Sequence, residues 1–171
     1  MDVFPIYRAA GSHRELGRLH GEQAKEQIHG HLDGMCRTEK WTRVELQKRA
    51  SQFHPLFQQH CPHLLDELEG LAEGAGISLA EAIATNTRSV LTTSSSDGCT
   101  SFAVAPSASA DGQVLVGQNS DMLPETSDWA YVLHLKPEGK PETLMWTFGG
   151  MIGYHGFNDR GVGQFANDLG G

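Results

Sequence analysis

Apolar positions recur with a helical period along the first half of the chain and with a strand-like period along the second. Leu16, Leu19, Ala24 and Ile28 mark one helical stripe, opened by Ser12 and Glu15 at the spacing of a capping box. Gly17 and Gly21 fall on one face of that helix, where a second backbone can approach closely. A weaker helix is predicted from Val44 to Phe53, closed by Pro55. A third begins near Pro62, carries Leu64, Leu65, Leu68, Leu71 and Ala72 on one stripe, and ends in Gly74 and Gly76. Ser78 and Glu81 form another capping box, opening a short helix towards Asn86.

The period then changes. Residues 92–98 (Thr-Thr-Ser-Ser-Ser-Asp-Gly) are small and polar and predict a loop, the clearest boundary in the chain. Beyond it, strands are predicted over 100–105 and 113–118, then over 129–136 and 142–148 around Pro137, Gly139 and Pro141. A last hairpin is predicted over 152–157 and 162–167 around Asn158, Asp159 and Gly161. Helices followed by an antiparallel meander predict an α+β fold. It divides into a helical segment, 1–98, and a β segment, 99–171.

Composition narrows the function. The chain has 171 residues, enough for one domain with a real core, and 39% of them are hydrophobic. A net charge of -8 without any cluster of Lys or Arg argues against a nucleic-acid partner. No window approaches the roughly 18 apolar residues of a membrane span, and no secretory signal precedes Ala10. Three cysteines, Cys36, Cys61 and Cys99, are an odd number without metal-site spacing, which fits a reducing, cytoplasmic setting. His20, His29 and His31 lack a ligand pattern, so no metal is expected.

Cys99 is the candidate nucleophile. A cysteine opening a strand is ordinarily a small buried hydrophobe, but this one joins a polar loop to an apolar strand, which combines access with rigid support. Gly98 leaves its own carbonyl unobstructed, and Asp97 can polarise or position that peptide. Two chemistries are open to such a residue. The order Cys99, His134 or His155, then Asn167 matches the chain order of papain-like proteases, in which a histidine is the base. Alternatively, cleavage before Cys99 frees an α-amine with a pKa of about 8, and the residue then carries its own base.

The motif Asp97-Gly98-Cys99-Thr100-Ser101, followed by Gly117-Gln118-Asn119-Ser120-Asp121, resembles the isopenicillin-N acyltransferase family of cysteine-type N-terminal-nucleophile (Ntn) hydrolases. The resemblance extends to the stretch from Gly11 to Gly21, to Glu67 through Gly76, to Asn86-Thr87-Arg88, and to Gly149 through Asn167. It implies an αββα sandwich, cut before Cys99, whose new N-terminal cysteine attacks an amide or thioester carbonyl. The acyl group then passes to water or an amine. The implied partners are therefore a small-molecule acyl donor and an amine acceptor, with the two cleaved segments remaining associated and no cofactor required. The resemblance covers roughly the N-terminal half of the family's chains, so the implied sandwich is incomplete and leaves strand faces uncovered. On that ground an inactive piece serving only as an interaction module is the rival reading.

Three further residues acquire roles from this frame. Asp121 would hold the α-ammonium or orient the nucleophile, against the plainer reading of a solvated turn aspartate. Asn167 would donate an amide N–H to the tetrahedral oxyanion, against a local backbone cap. Arg88 would form an ion pair in the core or touch an anionic substrate. Asn119 is read as structural, and Trp129, Tyr131, Trp146 and Phe148 as core residues with one strand face free to line an acyl pocket. Ser89-Val90 and Ser120 depart from the family pattern, which has Thr-Glu and an aromatic at those places.

Overall fold

The computed structural model describes residues 4–92 and 98–167, and over them the chain is α+β. β1 (Ile6–Gly11) leads into α1 (His13–Gln23) and α2 (Lys25–Glu39). α3 (Arg43–Ala50), α4 (His54–His60), α5 (Pro62–Ala75), α6 (Leu79–Asn86) and the short α7 (Arg88–Leu91) follow. The second half comprises β2 (Cys99–Val104), β3 (Leu115–Ser120), α8 (Thr126–Trp129), β4 (Ala130–Pro137), β5 (Thr143–Phe148), β6 (His155–Asn158) and β7 (Gly163–Gln164). A five-stranded sheet has the order β1-β4-β5-β6-β7, and β2 and β3 form a separate antiparallel pair.

β1 is a strand where the pattern showed none. It lies at the sheet edge and buries only Ala9, so it carries no alternation of apolar and polar positions. It runs parallel to β4, with Ile6 opposite Val132, which makes the sheet mixed rather than a pure antiparallel meander. The segment before Cys99 therefore contributes to the same sheet as the segment after it. Pro55 does not end the helical path either. A 3-10 turn at Ser51–Phe53 leads into α4, where Pro55 sits in the first turn and its missing N–H costs nothing. The stripe from Leu16 to Ile28 is broken at Ala24, where α1 passes into α2.

The helices cover one face of the five-stranded sheet. Tyr131, Leu133 and Leu135 alternate along β4 and join Leu16, Ile28, Leu32, Leu68 and Leu71 in one core. Each such leucine contributes about 2 kcal/mol by burial. The capping boxes predicted at Ser12/Glu15 and Ser78/Glu81 are both formed, and Thr42/Glu45 adds a third.

Helices α1 and α5 meet without side chains between their backbones. A methyl group on Gly17 would collide with the carbonyl of Glu67, and one on Gly21 would come within 2.5 Å of the carbonyl of Leu71. From the other side, methyl groups on Gly70 and Gly74 would strike the carbonyls of Arg14 and Arg18. Gly74 is thus a seam residue inside α5, and the helix instead ends at Gly76, whose φ of 69° suits a glycine cap. At one end of the seam His13 Nδ1–H donates to the buried Glu67 carboxylate at 2.8 Å, and Lys140 donates to His13 Nε2 at 2.9 Å. Burial pushes the Glu67 carboxyl above its usual range, and the hydrogen bond from His13 opposes that shift.

The turn after β5 ties the helices to the sheet. Gly149 and Gly150 both adopt positive φ, 53° and 85°. His31 Nδ1–H, on α2, donates to the Gly149 carbonyl at 2.9 Å, and Asn86 Nδ2, on α6, donates to the Gly150 carbonyl at 3.0 Å. The Gly150 N–H donates to the Tyr131 hydroxyl at 3.0 Å, and the Ile152 N–H donates to Asn86 Oδ1 at 2.9 Å. The Tyr131 hydroxyl also bonds His20 Nε2 at 2.5 Å. Burial lowers His31 to a pKa of about 4 and His20 to about 3, so both are neutral near pH 7.

Two outcomes follow from this packing. Gly17→Val and Gly70→Val should each lower the free energy of unfolding in urea by about 3 kcal/mol, because the obstruction is backbone and cannot swing aside. An unchanged midpoint would contradict the seam. A histidine whose folded pKa lies below its unfolded value contributes stability above pH ~6.5 that is lost as the pH falls towards the folded value. His31→Gln keeps a donor for Gly149 but removes the titration. Between pH 7 and pH 4 the wild type should therefore lose about 3 kcal/mol more than the variant. Parallel pH profiles would count against a buried neutral His31.

Candidate active site

Cys99 opens β2 because the small polar run before it gives way to a residue that pairs in a ladder. The register sets Cys99 opposite Ser120, Ser101 opposite Gln118, and Ala103 opposite Val116. Paired residues in an antiparallel ladder share a face, so these six side chains point the same way. The Cys99 thiol is half-buried, and its Sγ donates to Ser120 Oγ at 3.9 Å. Among the described residues no histidine hydrogen-bonds it. His134 instead pairs with Glu142 at 3.1 Å.

The ladder continues one step past Cys99. The Asp121 N–H donates to the Gly98 carbonyl oxygen at 2.7 Å. A methyl group built on Gly98 would come within 2.9 Å of Asp121 Oδ2, so the carboxylate lies against this glycine. Asp121, read from the sequence as reachable only if the hairpin paired, does lie beside the Gly98–Cys99 peptide. The cause is hairpin register and not sequence proximity.

Asn167 crosses the same face of the hairpin. Its Nδ2 donates to Ser101 Oγ at 2.9 Å, and Gln118 Nε2 donates to the neighbouring Ala166 carbonyl at 2.6 Å. It stands one pleat from Cys99, with its amide engaged by Ser101. Arg88 is placed elsewhere. Its guanidinium lies 5.1 Å from the centre of the Phe148 ring and borders a cleft with His31, Trp129 and Leu123. That cleft shares no lining residue with the one beside Ser120. Asp97 lies outside the described residues, as do residues 93–96 of the predicted cleavage loop.

The cleft beside Ser120 has a volume of about 530 Å3 and lies, partly open, between the hairpin and the outer face of the five-stranded sheet. Val132 and Trp146, which alternate with the helix-facing core positions, form its floor. Trp146 therefore faces a cleft, whereas Tyr131 and Phe148 are fully buried core. Ser101 and Gln118 lie within the two motifs around Cys99 and Asp121, but only the pairing register shows that they share a face with Cys99. The opposite face of the hairpin is uncovered, with Phe102 56% exposed. Among the described residues there is no cluster suited to a metal ion, and no helix is long and apolar enough to cross a membrane.

This geometry can be set beside known proteins. The acyl-coenzyme A:6-aminopenicillanic-acid-acyltransferase 40 kDa form of Emericella nidulans is 30% identical to the chain over 167 residues. The match takes in 93% of this chain and 45% of that protein. The chain is a distant relative of that acyltransferase. It spans about half the length of this relative. No family model matches the chain.

Proposed function

We propose that the chain is an acyltransferase or amide hydrolase of the N-terminal-nucleophile type, in which Cys99 first cuts its own chain and then carries the acyl group. The observation that carries this reading is the hydrogen bond from the Asp121 N–H to the Gly98 carbonyl oxygen at 2.7 Å. It aims a fixed donor at the oxygen that becomes negative when a thiolate adds to that carbonyl. A single donor of this kind accounts for about 3 kcal/mol of transition-state stabilisation.

Cys99 Sγ, as thiolate, adds to the Gly98 carbonyl carbon, and the oxyanion forms against the Asp121 N–H. The carbon–nitrogen bond breaks, the Cys99 nitrogen takes a proton and leaves as an α-amine, and Gly98 is held as a thioester. Water then releases the Gly98 carboxylate and the thiol. The freed α-amine, with a pKa of about 8, takes the thiol proton in later turnovers. Asp121, whose carboxylate already lies against Gly98, is placed to hold the corresponding ammonium. Asn167, on the same face, supplies an amide to the substrate oxyanion once it leaves Ser101. Donors are amides or acyl thioesters, and acceptors are amines or water. The name of the relative, with its coenzyme A thioester and its amine, supports both halves of that assignment. The chain before the cut stays attached afterwards, because β1 remains hydrogen-bonded to β4.

Intact-mass measurement of the purified chain tests this directly. The wild type should resolve into a piece ending at Gly98 and one beginning at Cys99. Cys99→Ala should stay whole, and Cys99→Ser should be cut at least tenfold more slowly, since a hydroxyl is far less acidic than a thiol. Asp121→Asn keeps the backbone donor and should still be cut, while losing activity after the cut. A wild-type chain that is folded by circular dichroism yet remains whole would overturn the self-processing mechanism.

A further inference from the structure

Before the proposed cut Cys99 has no free α-amine, so its first thiolate must form without the base that serves later turnovers. Among the described residues the Cys99 thiol has one hydrogen-bond partner, the Ser120 hydroxyl at 3.9 Å. At that length the bond to a neutral thiol is weak, and what counts is how firmly the two side chains are held together.

The backbone holds them. The Asp121 N–H donates to the Gly98 carbonyl at 2.7 Å, one residue outside the Cys99–Ser120 pair on each strand. A bond in that position makes Cys99 and Ser120 a pair whose own N–H and C=O groups point away from each other. Such pairs bring their Cα atoms to about 4.5 Å, the closest approach in an antiparallel ladder. The bond that aims a donor at the Gly98 oxygen thus also sets a hydroxyl beside the sulfur. The Ser120 hydroxyl makes no other hydrogen bond among the described residues, so its proton is uncommitted. Both side chains are half-buried, which leaves water a route to the sulfur. The charged group beside this pair is the Asp121 carboxylate, which lies against Gly98 and opposes a second negative charge there. Gln118 and Asn167, on the same face, are neutral.

We propose that Ser120 is a catalytic residue of the first cut: its hydroxyl accepts from the neutral Cys99 thiol and, once the thiol gives its proton to a water molecule, turns to donate to the sulfur anion that attacks Gly98. A hydrogen bond to the charged form favours that form. The protons balance through water, since the hydronium formed at this step is consumed when the departing Cys99 nitrogen takes up a proton. This role rests on Cys99 as the self-cleaving nucleophile.

Chains made by cell-free synthesis and chased by intact-mass measurement give the first-order rate of the cut between about pH 6 and about pH 10. Ser120→Ala removes only the hydroxyl and should be cut about fivefold to tenfold more slowly at neutral pH. The deficit should shrink to within about twofold above about pH 9, where a cysteine thiol ionises unaided. Ser120→Thr keeps the hydroxyl and should stay within about twofold of the wild type throughout. Equal rates for Ser120→Ala and the wild type would overturn the role while leaving self-cleavage standing. A deficit that is constant with pH, or shared by Ser120→Thr, would mark Ser120 as a strand residue only and overturn it as well. A wild-type chain that stays whole at every pH would overturn self-cleavage itself, and this role with it.

Discussion

Gly150 presents its carbonyl to the helical layer and its amide to the sheet, and the remainder of the molecule is arranged around that division. The carbonyl accepts from Asn86 on α6, and the amide donates to the hydroxyl of Tyr131 on β4. Asn86 closes the loop by accepting from Ile152, and His31 fixes the adjoining Gly149 from α2. Gly149, Gly150, His31 and Tyr131 are buried and Asn86 and Ile152 half-buried, so a bond lost here would leave a polar atom poorly satisfied. The turn can exist only with two glycines of positive φ, and a side chain on Gly149 would run into the His31 ring. The turn therefore ties α2 and α6 to the end of β5, while the pairing of Val132 with Trp146 sets the face of β5 that Trp146 occupies.

That outward face is what the site is built on. The helices occupy one side of the five-stranded sheet, leaving Val132, Leu144 and Trp146 as the floor of a cleft whose roof is the β2–β3 hairpin. The hairpin contributes two kinds of order. Its last ladder bond brings a backbone donor to the Gly98 carbonyl, and its side-chain alternation brings Cys99, Ser120 and Gln118 onto the cleft side. The proposed nucleophile and the backbone donor proposed for its oxyanion thus arise from one register. A slip of one residue would turn the thiol to the opposite face, where Phe102 lies exposed.

The helical layer was legible because its signals are local. Capping boxes at Ser12 and Ser78 state where helices begin, and stripes of leucine state which side they bury. Gly17 and Gly21 announced a close approach, although their partners Gly70 and Gly74, some fifty residues away, did not announce themselves as such. β1 was missed because an edge strand with one buried residue has no pattern, and its parallel pairing to β4 is a long-range fact. The same limit applies to the site. Cys99, Gly98 and Asp121 stood out as a motif, and the hairpin joins them as its pairing implied. Gln118 lies within the Gly117–Asp121 motif and His155 is a candidate base by chain order, yet that both line one cleft is a long-range fact that no spacing reveals. Arg88 sat near the predicted cut in sequence, yet packs over Phe148 in another cleft.

On the proposed mechanism, acyl groups pass through the sulfur of Cys99. The most direct measurement is to incubate the purified chain briefly with a phenylacetyl thioester, quench in acid, and map the added mass by peptide analysis. An adduct of one phenylacetyl group on the peptide containing Cys99, removed by hydroxylamine or by an amine acceptor, is expected. An unmodified Cys99, with Cys36 or Cys61 acylated instead or no adduct at all, would contradict it.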